Sequence, residues 1–385
     1  MLSYKRLYGY KFMFLVFILM SIPSMAIGAQ TSDVDDLLNF LTEKGVIKTG
    51  DASAFKEELA KKKQKEAKDE KGFALTANNL LRLSGYTQIR YQVPENATSG
   101  FDIHRARLIL YGNITDHIDY KLQPAFEGPS PKLLDAYMDY AVGQYLKFTA
   151  GQFKIPFSQE NLISSAMLET IDRSQVIEAL VARSKDVIGN QNGRDIGIQA
   201  GGNFLKLYDT YLFEYALAVL NGQGINTTDL NDQKDYVGRL LIHPIKDLAI
   251  GGDYYAGRYA LAGITGSSYE RTRIGAELAY IHDPVSLKAE YIRGRDGSKT
   301  TITTRQGWYV QGTCFLLAKK LQGVLKYDIY DSNVNVPNNT STVYTIGLNW
   351  FFTTLTRIQV NYEIKDVDKA TRNSNLLAAQ LQVGF

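Results

Sequence analysis

The sequence predicts an all-β membrane protein, a sixteen-stranded antiparallel transmembrane β-barrel that follows a short helical, coiled-coil-like segment. Three observations predict this fold class. Apolar and polar residues alternate along most of the chain, short and long connections follow each other in turn, and the last alternating segment ends on an aromatic residue, Phe385. A mean hydropathy of −0.20 excludes a bundle of membrane helices but suits a barrel whose strands are only half apolar.

The first residues have the form of a secretory signal peptide. Three basic residues precede an apolar run from Phe12 to about Ile22, and small residues follow. The run is shorter than the roughly 20 residues of a spanning helix, which favours cleavage after Ala26 or Ala29 over an uncleaved anchor. Residues 1–29 are therefore predicted to be removed on export.

Residues 30–78 differ in kind from the rest of the chain and are predicted to stay in the periplasm. Val34, Leu37, Leu38 and Leu41 recur at helical spacing, and a block of Lys and Glu follows. A helix this polar is marginal on its own. The segment is either a solvated linker or a coiled-coil helix that pairs with copies of itself, and the residues leave both interpretations open.

Residues 79–385 predict strand after strand. In RIQVNYEIK, Ile358, Val360 and Tyr362 share one face, while Arg357 and Gln359 share the other. The same period of two recurs in RLSGYTQIRYQ and TRIGAELAYI. One face suits outer-membrane lipid and the other suits water in a lumen.

The connections distinguish a barrel from the alternative, a soluble β-sandwich. Short turns are predicted near 115, 143, 245, 283, 319 and 353 and at Phe204–Lys206. Longer loops are predicted near 93–102, 154–192, 221–233, 259–269, 296–304, 332–340 and 366–374, whereas the connection near 128–131 is short. Outer-membrane barrels alternate in this way, with short turns on the periplasmic rim, and a sandwich has no reason to do so.

An even number of strands brings the last strand back to the periplasmic rim, where it closes the barrel against the first. Phe385 then resembles the carboxy-terminal aromatic residue that outer-membrane proteins present to the insertion machinery. We therefore predict Phe385 to be a membrane-insertion signal. Closure of the barrel also removes the exposed sheet edges that so many strands would otherwise create.

Composition and scattered residues exclude several other functions. A net charge of +3 and an export signal argue against nucleic-acid binding, and Cys314 alone cannot form a disulfide or a cysteine-based zinc site. The four histidines show no triad spacing, and His104 lies beside an arginine-rich strand without an evident partner. We predict no enzyme activity, no cofactor and no metal.

Four segments resemble the phosphate-selective porins O and P. They are FDIHRARLILYGNI (101–114), GQFKIPFSQENLISSAMLETIDRS (151–174), GRDIGIQ (193–199) and YTIGLNWFF (344–352). The resemblance implies a homotrimer of sixteen-stranded barrels in the bacterial outer membrane that passes small anions, among which some family members prefer phosphate or polyphosphate. The chain departs from the family at IDRS, where many members carry Glu before the Arg.

The longest connection, 154–192, is apolar enough to be ordered. Its place between the fifth and sixth strands predicts that it folds into the lumen as a constriction loop. Basic residues of this loop, and two pairs on polar strand faces, are the predicted anion-binding residues. They are Arg105, Arg107, Lys154, Arg173, Arg183, Lys185, Arg271 and Arg273.

Two alternatives share the same fold. Acidic residues lie on the same polar faces and could neutralise the basic ones, which would give a general, non-selective porin. A plugged structural barrel that is tethered through residues 30–75 would have no open passage.

Overall fold

A computed structural model describes residues 73–74, 80–207, 209–261, 264, 266–367 and 374–385. The predicted signal peptide, residues 1–29, lies outside these residues, as does nearly all of the predicted helical segment, residues 30–78. Among the described residues, no helix has the length and hydropathy that crossing a membrane requires.

In the described part of the chain, sixteen long antiparallel strands form one continuous wall, and a two-residue strand, β1 (Phe73–Ala74), pairs with the first of them. The wall strands are β2 (Arg82–Pro94), β3 (Gly100–Asn113), β4 (Ile118–Ala125), β5 (Lys132–Gly143), β6 (Leu146–Lys154), β7 (Arg194–Leu207), β8 (Thr210–Leu220), β9 (Asp235–Ile245), β10 (Leu248–Tyr259), β11 (Tyr269–His282), β12 (Val285–Gly297), β13 (Ile302–Leu317), β14 (Leu321–Asp331), β15 (Thr340–Phe351), β16 (Arg357–Val367) and β17 (Leu376–Gly384).

The last strand closes the sheet against the first. β17 pairs with β2 along its whole length, from Leu376 opposite Pro94 to Gly384 opposite Tyr86. Every other neighbouring pair in chain order is also antiparallel, so the sixteen strands form a closed barrel. The predicted sixteen-stranded barrel is therefore confirmed.

Short turns and longer loops alternate around the barrel, as predicted. The rim of the barrel that the short turns form is called the short-turn rim, and the opposite rim, which the longer loops form, is called the long-loop rim. One predicted turn is wrong, because β7 does not end at Phe204–Lys206 but continues to Leu207, and β8 begins at Thr210. Leu205 has a positive φ of 57°, but Lys206 pairs with Tyr211, so the chain kinks at Leu205 without reversing.

The predicted alternation places apolar residues on the outer face of the wall. On β16, Ile358 and Val360 are 40% and 39% exposed, whereas Gln359 between them is fully buried on the inner side. Alternation of this kind leaves an apolar band outside for lipid and a polar surface inside.

The seam between β17 and β2 ends at the carboxy-terminal residue. Phe385 and Gly85 exchange two backbone hydrogen bonds of 3.1 Å, and the Ser84 hydroxyl donates to the Phe385 carbonyl at 2.7 Å. A Cβ atom at Gly85 would lie 3.0 Å from the Phe385 ring and 2.7 Å from a backbone oxygen of β3. The aromatic ring thus fills the space beside a glycine at the short-turn rim.

The connection between β6 and β7 contains three short helical turns. They are α1 (Gln159–Leu162), a 3₁₀ turn (Ser165–Met167) and α2 (Gln175–Leu180). The side chain of Ser158 caps α1 by accepting a hydrogen bond of 3.2 Å from the backbone of Asn161. This connection, residues 155–193, is called the inner loop below because of where it lies.

Candidate functional site

The inner loop lies inside the barrel. Its apolar side chains Phe157, Val176 and Leu180 are at most 1% exposed and pack in one cluster with wall residues that include Ile292 and Tyr309. Burial of each large apolar side chain stabilises this placement by about 1.5 to 3 kcal/mol. The apolar core of the molecule is therefore the contact between the loop and one side of the wall, not the centre of a globule.

Hydrogen bonds hold the loop backbone to that side of the wall. The backbone N–H groups of Glu160 and Gln175 donate to the carboxylates of Glu290 and Asp328, at 2.8 and 2.7 Å. In return, the side-chain amide of Gln359 donates to a loop carbonyl at 3.1 Å. A loop with this many wall partners is a fixed part of the lumen.

Asn161 joins the two ends of the loop and is fully buried. Its amide nitrogen donates to the carbonyls of Ile155 and Gly193, at 3.1 and 3.2 Å. Its amide oxygen accepts two hydrogen bonds from Arg183, at 3.1 and 2.8 Å. Gly193, with a φ of 72°, leaves room for the Asn161 side chain, because a Cβ atom there would overlap it.

Two cavities remain between the inner loop and the rest of the wall. The long-loop cavity, of about 670 Å³, has Lys132 and Asn190 in its lining, and the short-turn cavity, of about 620 Å³, has Gly143 and Gln144 of a short turn in its lining. Arg107 lines both cavities. The space beside Arg105 and Arg107, the second of which borders both cavities, is called the passage below.

Basic side chains outnumber acidic ones in both cavities. Among the described residues, nine Lys or Arg and five Asp or Glu line the long-loop cavity, and six Lys or Arg and three Asp or Glu line the short-turn cavity. Several of these charges are paired. Asp135, for example, accepts hydrogen bonds of 2.5 and 3.2 Å from Arg194 and lies 2.9 Å from Lys121. Pairing within the lining leaves an excess of basic side chains. Acids outside the lining neutralise some of these, as Glu160 does with Lys326 and Glu277 does with Arg239.

The two predicted arginines of β3 lie at the passage and differ in their partners. Arg107 forms an ion pair with Glu127. Arg105 donates to the Gln88 side chain at 2.8 Å, and among the described residues it forms no ion pair with a carboxylate. Arg105 is thus a buried guanidinium whose charge is balanced only by more distant acids.

Lys154 and Arg173 hold the backbone of the inner loop. Lys154 donates to the carbonyls of Leu162 and Ile163, at 2.9 and 2.8 Å, and Arg173 donates to the Ile163 carbonyl at 2.9 Å. Burial and the neighbouring Arg105 lower the pKa of Arg173 to about 10, so it stays charged at neutral pH. Both residues line a cavity wall while they position the loop.

Arg183 and Lys185 both line the long-loop cavity but differ in exposure. Arg183 is 5% exposed because it is held by Asn161, and burial, followed by the charge of Arg173, lowers its pKa. Lys185 is exposed. Of the predicted loop residues, Lys185 is therefore the most accessible to a dissolved ion.

Comparison with known proteins identifies the family. The family model for phosphate-selective porin O and P matches residues 84–264 and 261–385. The chain belongs to this porin family. A search of curated proteins found no match.

Solved structures support the fold of this outer-membrane porin. It is similar to an anion-selective porin from Comamonas acidovorans, at 12% identity over 79% of this chain and 99% of that one, with a TM-score of 0.63. It is also similar to the outer-membrane channel DcaP of Acinetobacter baumannii, at 13% identity over 82% and 100%, with a TM-score of 0.58. The trimer form of OmpT from Vibrio cholerae matches at 11% identity over 79% and 99%, with a TM-score of 0.57.

The predicted placement of Arg271 and Arg273 in the ion path needs correction. The two arginines of this porin are 1% and 2% exposed and line neither cavity. Arg271 lies 3.1 Å from Asp186 of the inner loop, and Arg273 lies 2.7 Å from Asp296. Burial would raise the pKa of the Asp186 carboxyl, but the two guanidinium groups hold it below its usual range. The inner loop covers both arginines. They therefore anchor the loop to the wall and do not face the cavities.

Sequence reasoning missed several residues that line the porin's cavities. Glu127 and Lys132 fall in or beside a connection, where strand alternation carries no information. The sequence presents Asp172 only as a departure from the family pattern and gives His104 no evident partner. In the structure, Asp172 and His104 lie 3.3 Å apart in the long-loop cavity.

Proposed function

We propose that this porin lets small anions diffuse across the outer membrane and favours them over cations. The observation that carries the proposal is the excess of basic side chains around the two cavities that Arg107 borders. In a confined passage the effective dielectric is below that of water, so an uncompensated charge acts strongly on a passing ion. Rings of Arg and Lys in pores favour anions for this reason.

The basic residues suggest an ordered route for the anion. Lys185 and Lys365 line the long-loop cavity, Arg105 and Arg107 lie at the passage, and Lys121 lines the short-turn cavity. In an outer-membrane porin the long loops face outward and the short turns face the periplasm. An anion that enters from outside would meet a basic side chain at each stage. Arg107, Lys121 and Lys365 are paired with carboxylates, whereas Arg105 and Lys185 form no ion pair with a described carboxylate.

We propose phosphate-like anions as the preferred solutes. A guanidinium group can donate two parallel hydrogen bonds to phosphate oxygens. Arg105 supports this choice because it lies at the passage and forms no ion pair with a described carboxylate. The resemblance to phosphate-selective porins and the likeness to an anion-selective porin point the same way.

The alternatives make different electrical predictions. The paired charges around Asp135 favour a general porin, and a plugged barrel would carry no steady current. The proposal is a passive channel, not an enzyme. In planar bilayers under a potassium chloride gradient, we expect a steady current whose reversal potential has the sign of chloride preference. A potassium preference would contradict the proposal.

We further propose that the mature porin is a homotrimer with a periplasmic segment at residues 30–78, after removal of residues 1–29. The family resemblance supports the trimer, as does the existence of a trimer form of the similar OmpT. Helical spacing of apolar residues supports the segment. We also propose that the insertion machinery recognises Phe385, which is 58% exposed at the end of the closing strand.

A further inference from the structure

A bulge in β3 turns His104 toward the lumen. Gln88 of β2 pairs with Arg105, but the next residue, Ile89, pairs with Ile103, so His104 is the extra residue on β3. In a regular strand, neighbouring residues face opposite sides of the sheet. At a bulge, two successive residues can face the same side. His104 and Arg105 both line the long-loop cavity for this reason.

A chain of side-chain amides fixes one proton on the His104 ring. The nitrogen of the Gln359 amide faces two loop carbonyls and the Asn349 amide oxygen at 3.1 to 3.3 Å, so the Gln359 oxygen must be the acceptor for Gln380, at 2.9 Å. The Gln380 oxygen is then left facing Nδ1 of His104 at 2.8 Å. This contact is much shorter than the 3.5 Å between Nδ1 and a guanidinium nitrogen of Arg105, so the oxygen is the partner of Nδ1 and Nδ1 carries a proton.

The other ring nitrogen has both a donor and an acceptor beside it. Nε2 of His104 lies 3.5 Å from a guanidinium nitrogen of Arg90 and 3.3 Å from a carboxylate oxygen of Asp172. A neutral ring can accept a hydrogen bond from Arg90, and a protonated ring can donate one to Asp172. Both protonation states therefore have a partner without a change of fold.

Charged groups from four elements surround the ring or line its cavity. Arg90 of β2 pairs with Asp102 at 2.7 Å and also contacts Asp172 of the inner loop at 3.2 Å, while Arg105 of β3 lies 3.5 Å from Nδ1. Glu363 of β16 lines the same cavity. Burial would raise the pKa of the Asp172 carboxyl, but His104, Arg90 and Arg105 outweigh it and hold that pKa below its usual range. Asp172 is thus charged across the pH range in which histidine titrates.

We propose that His104 is a specificity-determining residue whose second proton strengthens the anion preference of the pore. Histidine is the side chain that ordinarily changes charge between about pH 5 and 8. When Nε2 takes up a proton, the new charge neutralises Asp172 and leaves Arg90 and Arg105 without that counter-charge. The passage then becomes more positive in acid. This inference rests on the proposed anion preference.

The test is the permeability ratio of chloride to potassium, measured from reversal potentials at pH 8 and pH 5. For the unaltered porin we expect the ratio to rise about fivefold on acidification, because one charge in a confined passage shifts ion entry by on the order of 1 kcal/mol. His104→Gln should abolish the rise. His282→Gln is the matched control, because His282 is 60% exposed at a short turn, and it should behave like the unaltered porin.

Each outcome has a distinct meaning. A chloride-selective porin with the same ratio at both pH values overturns the role of His104, and so does a His104→Gln variant that keeps the rise. A potassium preference at both pH values overturns the proposed function instead. If His104→Gln fails to insert, nitrogen-15 NMR of histidine-labelled porin in detergent still tests the geometry. Nδ1 of His117 and Nδ1 of His282 also face oxygen acceptors, at 3.0 and 2.8 Å, so the spectrum is recorded from porin that carries His117→Gln and His282→Gln. At pH 8 we expect one ring protonated at Nδ1, and a spectrum without such a ring would contradict the inference.

Discussion

At the scale of single residues, Phe385 offers the clearest test of how the barrel is assembled. Its ring fills the space beside Gly85, and its backbone completes the pairing of β17 with β2. We expect Phe385→Ala to lower the amount of folded porin in the outer membrane several-fold, measured by heat-modifiable migration in gels. Phe352→Ala is the control, because Phe352 is 59% exposed in another short connection and should leave assembly unchanged. Equal loss in both variants would mean that Phe385 is only one lipid-facing aromatic among several.

Strand alternation predicts which side of the wall a residue faces, and it succeeds wherever the strand is regular. It places Gln359 inside and Ile358 outside, as the structure does. It fails for His104, because a bulge shifts the register and is invisible in a single sequence. It also cannot tell an open inner surface from one that the loop covers, so it predicts Arg271 and Arg273 in the ion path although the loop covers them.

At the scale of elements, the inner loop can be removed without stretching the barrel. The backbone N–H of Ile155 donates to the carbonyl of Gly193 at 3.0 Å, so a linker of about four residues can replace the 37 residues between them. We expect this deletion to raise single-channel conductance clearly, because the loop occupies the lumen against one side of the wall. Shortening the loop 332–339, which joins β14 to β15, is the control and should change conductance little. Unchanged conductance after deletion of the inner loop would show that it does not limit the current.

The existence and place of the inner loop could be predicted from its length and apolar content. Its path could not, because wall residues far away in sequence determine it. Glu290 and Asp328 accept hydrogen bonds from its backbone, and Gln359 donates one to it. Such contacts depend on barrel closure, which brings these strands around the loop.

At the scale of the whole molecule, we expect trimers from the barrels alone. Truncation of residues 30–75 should leave a trimer in mild detergent if the walls provide the association, as chemical cross-linking followed by gel electrophoresis would show. The full mature chain is the control. Monomers from both would contradict the trimer, and monomers from the truncated chain alone would assign association to the periplasmic segment.

The closed barrel follows from patterns that repeat over the whole chain, and such patterns tolerate local errors. The misplaced turn at Phe204–Lys206 moved the end of one strand but changed neither the strand count nor the sides of the rims. The charge balance of the lumen, in contrast, is sensitive to local detail. The net charge of +3 says little about the lumen, where the balance depends on which ions pair, as Arg107 does with Glu127 and Arg105 does not with any described carboxylate.

The central claim is that basic side chains at the passage make the pore anion-selective, and replacing Arg105 and Arg107 together by Gln tests it most directly. The measurement is the reversal potential in a potassium chloride gradient. We predict chloride preference for the unaltered porin and a several-fold lower chloride-to-potassium permeability ratio for the double variant, because each removed charge is worth on the order of 1 kcal/mol in a confined passage. Arg293→Gln with Arg295→Gln is the matched control, since these arginines have the same spacing on the exposed outer face of β12 and should leave the ratio unchanged. A potassium-selective unaltered porin, or a double variant with an unaltered ratio, would contradict the claim.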